Sequence, residues 1–504
     1  MSQPSSIISS LGLLPHYDLF INGEFVPSTN PDSKCTSISP VDGSTLSTFT
    51  NATKEDVDKA VDAACEAFKT WKKTTPKERS EILLKIADAI EKNKEKLAKI
   101  ESMDNGKPIR ETLNIDIPSA ISHFKYFAAC IVAEEGSSNI LDGKYLSLIL
   151  REPIGVVGQI VPWNFPFLMG CWKIAPVLAA GDCTIFKPSS ETSLSILELA
   201  RITKDIIPKG VFNVITGRGS QSGQYILDHP KLNKLAFTGS TEVGLTVGLA
   251  AAKKIIPCTL ELGGKSANIF FDDCDFDMAI DGACLGILFN QGQVCIAGSR
   301  IYVQDTFYDK FVDALIKQFN SVKVGNSLDP STMMGPQVNA KQLKKILDYV
   351  KLGESEGCKI GCGGVQVKEN GLDKGCYMRP TLLLNATNKM RVSQEEIFGP
   401  VAVVIKFHDV DEVIEMANDS IYGLGGGVWT KDINKALKVA RGVETGRMWI
   451  NTYLAIPDGC PFGGYKQSGI GRECHKVILE HYTQMKNIII NLEETPSGFY
   501  PKAY

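Results

Sequence analysis

The sequence predicts an α/β protein of two parallel-sheet domains with a small additional β element, and three observations carry that prediction. After about residue 150, short apolar, β-branched runs alternate with helical stretches: "GVVGQIV", "CTIFKP", "GVFNVIT", "KLAFTG" and "CTLEL". This is the texture of parallel strands joined by crossover helices. A second alternating set begins at "SANIFF" and runs through "RIYVQ", "PVAVVIKF", "GGGVWT" and "GRMWIN", with "DEVIEMANDS" as one helical interval. Finally, "YLSLILRE" near residue 148 and the C-terminal "KNIIINL" are apolar β-like strips. Their main-chain groups need partners, either in a small sheet that pairs with another subunit or as strands internal to a domain.

Upstream of these, Lys54 to Ile100 is rich in Lys, Glu, Ala and Leu at helical spacing, as in "KEDVDKAVDAACEAFKTW" and "RSEILLKIADAIEKNKEKLAKI", and predicts two amphipathic helices. A chain of 504 residues exceeds what one core supports, so two to four structural units are expected. Hydrophobic residues at 43% and charged residues at 22% are ordinary for folded domains. The net charge of -3, with no long run of like charge, lacks the footprint of a nucleic-acid binder and leaves small-molecule chemistry. The N-terminal "MSQPSSIISSLGLLPHYD" has no basic n-region, and no apolar stretch reaches the roughly 18 residues of a membrane span, so a cytoplasmic protein without a membrane partner is expected. Fourteen cysteines are scattered without a CxxC pair, which predicts mostly reduced thiols. Cys358 and Cys362 have no companions to complete a tetrahedral site and the six histidines form no HExxH, so no metal is expected.

Two glycine segments bear on a nucleotide. Gly217-Arg-Gly-Ser-Gln-Ser-Gly223 approaches a dinucleotide fingerprint, but its last interval is one residue too long. In "LAFTGSTEVG" an apolar strand ends at Thr238, Gly239 and Ser240 follow, and a helix starts near Thr241. Backbone N–H groups and the dipole at such a terminus can hold a pyrophosphate, although a simple helix cap reads the same way. The strand "CTIFK" ends at Lys187, at the carboxyl edge where doubly wound sheets hold nucleotides, so this lysine is either a ribose ligand or a solvated strand end. "NQGQVC" ends at Cys295, which by itself reads as one more structural thiol.

Six segments together resemble the aldehyde dehydrogenase superfamily over nearly the whole chain: "PWNFP" (162–166), "FTGSTEVG" (237–244), "LELGGKSAN" (260–268), "GQVCIAGSR" (292–300), "EEIFGPV" (395–401) and "PFGGYKQSGIGRE" (461–473). The similarity is greatest to broad-specificity hydrolysing members of bacterial type. It implies a Rossmann-like NAD(P)-binding domain at 1–130 and 153–262, a catalytic α/β domain at 263–472, and a β oligomerisation element at 131–152 and 473–504, in a homotetramer or homodimer.

The implied chemistry explains the residue types. An aldehyde is a poor hydride donor until a thiolate adds to it and gives a thiohemiacetal whose oxyanion can expel hydride. The resemblance makes Cys295 that nucleophile, suited by an ordinary pKa of about 8.5 that leaves some thiolate near neutrality. It makes the Asn164 amide and the Cys295 backbone N–H the oxyanion donors, where Asn164 alone would read as a turn residue. Glu261 corresponds to the base that activates water against the thioester, and members that pass the acyl group to coenzyme A tend to lack a glutamate there, so a free carboxylic acid is the implied product. Trp163, Gly239, Ser240 and Gly244 are implied near the pyrophosphate, Lys187 and Glu396 at ribose hydroxyls, and Phe398 beside the nicotinamide ribose.

One position departs from the common pattern. Many relatives read Lys-Pro-Ser-Glu where this chain has Lys187-Pro188-Ser189-Ser190. A carboxylate there grips the adenosine ribose and repels a 2′-phosphate, so Ser190 predicts use of NAD with NADP tolerated. Phe165, Met169, Trp172, Phe289, Ile296, Leu454 and Ile456 match tunnel positions, though as aromatic and aliphatic residues they read equally as core. No Arg or Lys stands among them to hold a second carboxylate, so small to medium, mostly uncharged aldehydes are the expected substrates. Two alternatives stay open: a thiol esterase or acyl-transfer enzyme working through Cys295 and Glu261, and a non-catalytic binding or structural protein on the same fold. Aldehyde-dependent formation of reduced cofactor separates them.

Overall fold

The computed structural model describes residues 11–500 and 503–504. The first ten residues of the cofactor-domain and N-terminal expectations, and residues 501–502 of the oligomerisation element, lie outside the described residues.

The first set of β-branched runs after residue 150 supplies the five central strands of an eight-stranded sheet, whose order is Gly469–Ile470, Cys258–Glu261, Lys234–Thr238, Val156–Ile160, Cys183–Lys187, Phe212–Val214, Leu19–Ile21, Glu24–Val26. The five central strands are parallel. From Val156–Ile160 the chain adds strands first to one side, at 183 and 212, and then to the other, at 234 and 258. A reversal of this kind opens a crevice at the carboxyl ends of the strands on either side of it. Those ends are Ile160 and Thr238, and they lead directly into Trp163–Asn164 and Gly239–Ser240. One edge strand, Gly469–Ile470, comes from the stretch expected in the second domain and pairs antiparallel with Leu260 and Glu261.

The second sheet has seven strands: Lys359–Cys362, Thr381–Leu384, Val401–Phe407, Arg300–Gln304, Ala267–Phe270, Gly425–Trp429 and Arg447–Ile450, all parallel except the first. The two apolar strips pair with each other, Tyr145–Pro153 against Thr483–Asn491 over nine residues, and Ser137–Leu141 completes a three-stranded antiparallel sheet. These results bear out the α/β class.

The Lys54–Ile100 stretch contains three helices rather than the two expected: Lys54–Trp71, Pro76–Lys92 and Lys94–Asn105. Asn93 makes the difference. Its Nδ2 donates to the Ala89 carbonyl at 2.8 Å and its φ of -111° leaves the helix, so the continuous apolar period conceals a break. The last of the three brings buried Glu101, Asp104 and Asn105 up beneath the central helix Pro166–Ala180, nearly all of whose residues are buried.

Candidate active site

A cavity of about 940 Å³ lies at the crevice between the two sheets. Its wall includes Cys295, Glu261 and Asn164, the cofactor candidates Trp163, Lys187, Ser190, Gly239, Ser240, Glu396 and Phe398, and the tunnel candidates Phe165, Met169, Trp172, Phe289, Ile296, Leu454 and Ile456.

Gly244 is not on this wall. It lies in the first turn of the helix Thr241–Lys254, where a Cβ would meet the end of the Leu262 side chain, so close helix–sheet packing accounts for a small residue there as well as approach to a ligand does. Gly217–Gly223 does not open a helix onto a phosphate either; 219–223 form a π turn, of which only Gly219 reaches the cavity.

The helix Phe276–Leu288, capped by the Asp275 carboxylate, delivers the chain to Cys295. Between them Asn290 (φ 47°), Gln291 (φ 56°) and Gly292 (φ 72°) are all left-handed, which turns the chain sharply back. Gly292 is obligatory because a Cβ there would overlap the Gly399 carbonyl. The turn is fastened by Gln291 Nε2 to Pro336 O (2.9 Å) and by Val338 N–H to Gln293 Oε1 (3.0 Å). It leaves Cys295 half-buried at the cavity wall.

Burial first, then the carboxylates of Glu396 and Glu261, hold the Cys295 thiol well above its ordinary value, against the backbone N–H groups of Cys295 and Ile296. That direction disfavours the thiolate, so a base beside the sulfur would assist its ionisation.

Asn164 follows the strand Val156–Ile160 and is buried. One hydrogen of its amide goes to Gln293 O at 2.9 Å, which leaves the second as a free donor. Its own carbonyl accepts from Asn290 Nδ2 at 2.7 Å and Asn105 Nδ2 at 3.3 Å. Glu261 ends its strand with both carboxylate oxygens buried and without a hydrogen-bond donor among the described residues. Burial, then neighbouring Glu473, hold it well above the ordinary carboxylate range, while Lys173 and Arg472 pull the other way. Lys173 and Glu473 form a buried ion pair at 2.5 Å, so Glu261 looks onto a second proton-bearing pair behind it.

The cofactor candidates fit a dinucleotide. Ser240 caps the helix Thr241–Lys254 with its hydroxyl accepting from Val243 N–H, so that terminus presents its dipole to the cavity. Lys187 is buried, donates one hydrogen bond, to Pro188 O at 3.0 Å, and keeps donors for ribose hydroxyls; burial pushes its pKa down to about 8. Glu396 Oε1 accepts from Gly264 N–H at 2.9 Å, and its other oxygen has no donor among the described residues. Phe398 meets Trp163 edge to face at 5.2 Å.

Toward the outer end, Phe165 and Phe289 stack at 6.0 Å and Trp172 packs on Phe462 at 5.3 Å. Sequence reasoning missed Asp458, whose carboxylate also lines the cavity, hydrogen-bonded to the Ser122 hydroxyl and 3.1 Å from His123 Nδ1. Nothing in the loop "NTYLAIPDGCPF" distinguishes it; only the approach of the helix Ile117–Val132 does.

Comparison with known proteins agrees with this geometry. The aldehyde dehydrogenase family matches residues 25–488. A protein from Deinococcus radiodurans named aldehyde dehydrogenase is 45% identical over 503 residues, covering 99% of this chain and 96% of its own. Among solved structures, the NAD+ complex of an aldehyde dehydrogenase from Bacillus cereus is 40% identical with a TM-score of 0.94, covering 97% of this chain and 99% of that one. Betaine aldehyde dehydrogenase from Staphylococcus aureus in complex with NAD+ is 39% identical with a TM-score of 0.95, covering 99% of both chains.

Proposed function

The chain belongs to the aldehyde dehydrogenase family, and we propose that it oxidises small to medium, mostly uncharged aldehydes to carboxylic acids with NAD, tolerating NADP, through a covalent thioester on Cys295. One observation carries this reading: a thiol, a free amide donor and an unpartnered buried carboxylate share one cavity wall at the reversal of a parallel sheet.

In this reading the Cys295 sulfur bonds to the carbonyl carbon and its proton leaves to Glu261, the carboxylate with unoccupied oxygens. The oxygen of the adduct becomes an anion, which the free Asn164 N–H and the Cys295 N–H stabilise; loss of one such donor typically costs about 2.7–4 kcal/mol of barrier. Collapse of the oxyanion breaks the carbon–hydrogen bond with its electron pair and leaves a thioester. The nicotinamide, when bound, supplies the acceptor for that hydride. Lys187 and Glu396 would hold its sugars, and Gly239, Ser240 and Trp163 its phosphates. Glu261 passes the thiol's proton on toward solvent, for which the neighbouring Lys173–Glu473 pair offers a station. It then takes a proton from water as the hydroxide adds to the thioester, and collapse of that adduct expels the Cys295 sulfur, which regains a proton from Glu261 as the acid leaves.

Aromatic and aliphatic walls favour apolar substrate bodies, and Asp458 disfavours a distal carboxylate. A steady-state panel of aldehydes with both cofactors tests the function. Reduced cofactor should form with uncharged aldehydes, and with NADP at an efficiency comparable to NAD because Ser190 puts no carboxylate against a 2′-phosphate. No reduced cofactor across the panel removes the oxidative reading, and strict exclusion of NADP removes the role of Ser190. In the same panel Asp458→Asn should lower KM for aldehydes with a distal carboxylate by roughly 5-fold, from about 1 kcal/mol of repulsion relieved, and leave uncharged ones unchanged. An equal change for both classes would refute that role.

The three-stranded sheet exposes Ile140, Ile149, Met485 and Ile489, an apolar surface with open edges that supports a homodimer or homotetramer. Fourteen free cysteines support a reducing, cytoplasmic setting, and no helix among the described residues is long and apolar enough to cross a membrane.

A further inference from the structure

We propose that Glu111 is a positioning residue for this reaction, fixing the left-handed turn at Asn290 and through it both the loop that carries Cys295 and the orientation of Asn164; this rests on the reading of Asn164 as oxyanion donor. Glu111 stands outside the cavity wall and touches neither sulfur nor substrate. Its Oε2 accepts the Asn290 backbone N–H at 3.0 Å.

That bond matters because of where Asn290 is. Asn290 and Gln291 are consecutive non-glycine residues in the left-handed region, a conformation that costs on the order of 1 kcal/mol or more per residue and persists only where surrounding contacts over-determine it. The contacts at Gln291 and Gln293 fasten the later part of the turn to Pro336 and Val338. Glu111 alone fastens its first backbone N–H.

From Asn290 the connection runs to the chemistry in two bonds. Asn290 Nδ2 donates to Asn164 O at 2.7 Å and to Gln293 O at 3.3 Å. Gln293 O also accepts from the Asn164 side chain at 2.9 Å, so the same carbonyl that Asn290 anchors sets the rotation of the Asn164 amide. A turn that relaxed at Asn290 would shift that carbonyl and swing the free N–H away from the oxyanion, and a displacement of about 1 Å at such a donor is enough to cost a large part of its effect.

Glu111 is itself held rigidly. It ends the short helix Ile109–Glu111, where the chain passes into the π turn Thr112–Asp116, and that turn carries Asp116 to Lys107 at 2.6 Å. Lys107 Nζ stands 4.0 Å from the Phe165 ring, tying the same segment to the residue after Asn164. Burial pushes the Glu111 carboxyl up to about 8, and glutamine, whose side-chain carbonyl can accept the same Asn290 N–H, is its isosteric substitute.

The test is a double-mutant cycle with kcat expressed per titratable Cys295. Glu111→Ala should lower kcat roughly 10-fold with KM within about 2-fold, and Glu111→Gln should stay within about 2-fold of the parent on both. Asn164→Ala should cost several-fold less in the Glu111→Ala background than alone, because the donor it removes is already misdirected. Unchanged kcat in Glu111→Ala, failure of glutamine to rescue, or full additivity with Asn164→Ala each overturns the proposal. Should Glu111→Ala not fold, Asn290→Ser, which cuts the next bond of the chain, carries the same expectation against Asn164→Ala. Loss of the oxidative reading would appear separately, as absence of reduced cofactor from the parent enzyme across the aldehyde panel.

Discussion

Cys295→Ala should abolish aldehyde oxidation, lowering kcat by a factor on the order of 10⁴ or more, the scale on which removal of a covalent nucleophile acts. The other thirteen cysteines do not substitute for it. Apart from Cys474 none of them lines the cavity; Cys171 and Cys183, for example, are buried in the central helix and its neighbouring strand. Cys474 does reach the cavity wall, but it lies outside the turn whose Gln293 carbonyl holds the Asn164 amide two residues from Cys295. The substitution leaves the turn intact, since Asn290, Gln291 and Gln293 are held by bonds that do not involve the sulfur. Thermal stability and cofactor binding should therefore match the parent, and oxidation alone should be lost in a steady-state assay. Retention of even a tenth of the parental kcat would move the nucleophile elsewhere.

What the sequence revealed and what it concealed differ in kind. The parallel strands from Val156 to Glu261 and five strands of the second sheet were legible because β-branched runs bounded by Gly and Pro have few other uses, whereas the short outer strands Leu19–Ile21, Glu24–Val26, Gly469–Ile470, Lys359–Cys362 and Thr381–Leu384 were not. The two apolar strips pair with each other, and Ser137–Leu141 covers the other side of Tyr145–Pro153. Cys295, Glu261 and Asn164 were marked by motifs, not by their own neighbourhoods, and the fold accounts for their meeting: each stands just beyond a secondary element that ends at the crevice. Gly244 stayed ambiguous because a glycine after a strand serves packing and phosphate approach equally well, and the Leu262 side chain packed against it adds weight to the first. Asn93 misled because a helix break needs one side chain turned back on its own backbone, which leaves the apolar period undisturbed. Asp458 and Glu111 had no signal at all, because each matters through a partner brought up from a distant part of the chain, Ser122 and His123 in one case and Asn290 in the other.

Glu261→Gln should form the thioester once and stall. Rapid mixing with aldehyde and NAD should give one burst of reduced cofactor per active site, followed by steady turnover lowered roughly 10²–10⁴-fold, the usual contribution of a general base. The burst survives because a thiolate can still be reached by proton loss to solvent at alkaline pH, whereas an amide cannot take the proton of the hydrolytic water. The same burial that makes Glu261 a base at this pH also works against the fold. Its carboxyl in the unfolded chain titrates near the ordinary 4.5, and in the folded chain well above that. The folded state thus holds the proton more tightly, and stability falls as pH rises from the unfolded value toward the folded one, by about 1.4 kcal/mol for each unit of displacement. Glutamine does not titrate, so Glu261→Gln should melt increasingly above the parent as pH rises beyond the ordinary carboxylate range, with the gap closing below that range. The parent's turnover should rise with pH over the interval in which its stability declines, since both follow the same carboxyl. Full-rate turnover in the variant would remove Glu261 as the base, and identical melting of the two proteins across that range would mean that the carboxylate is solvated in the folded state and not poised by burial.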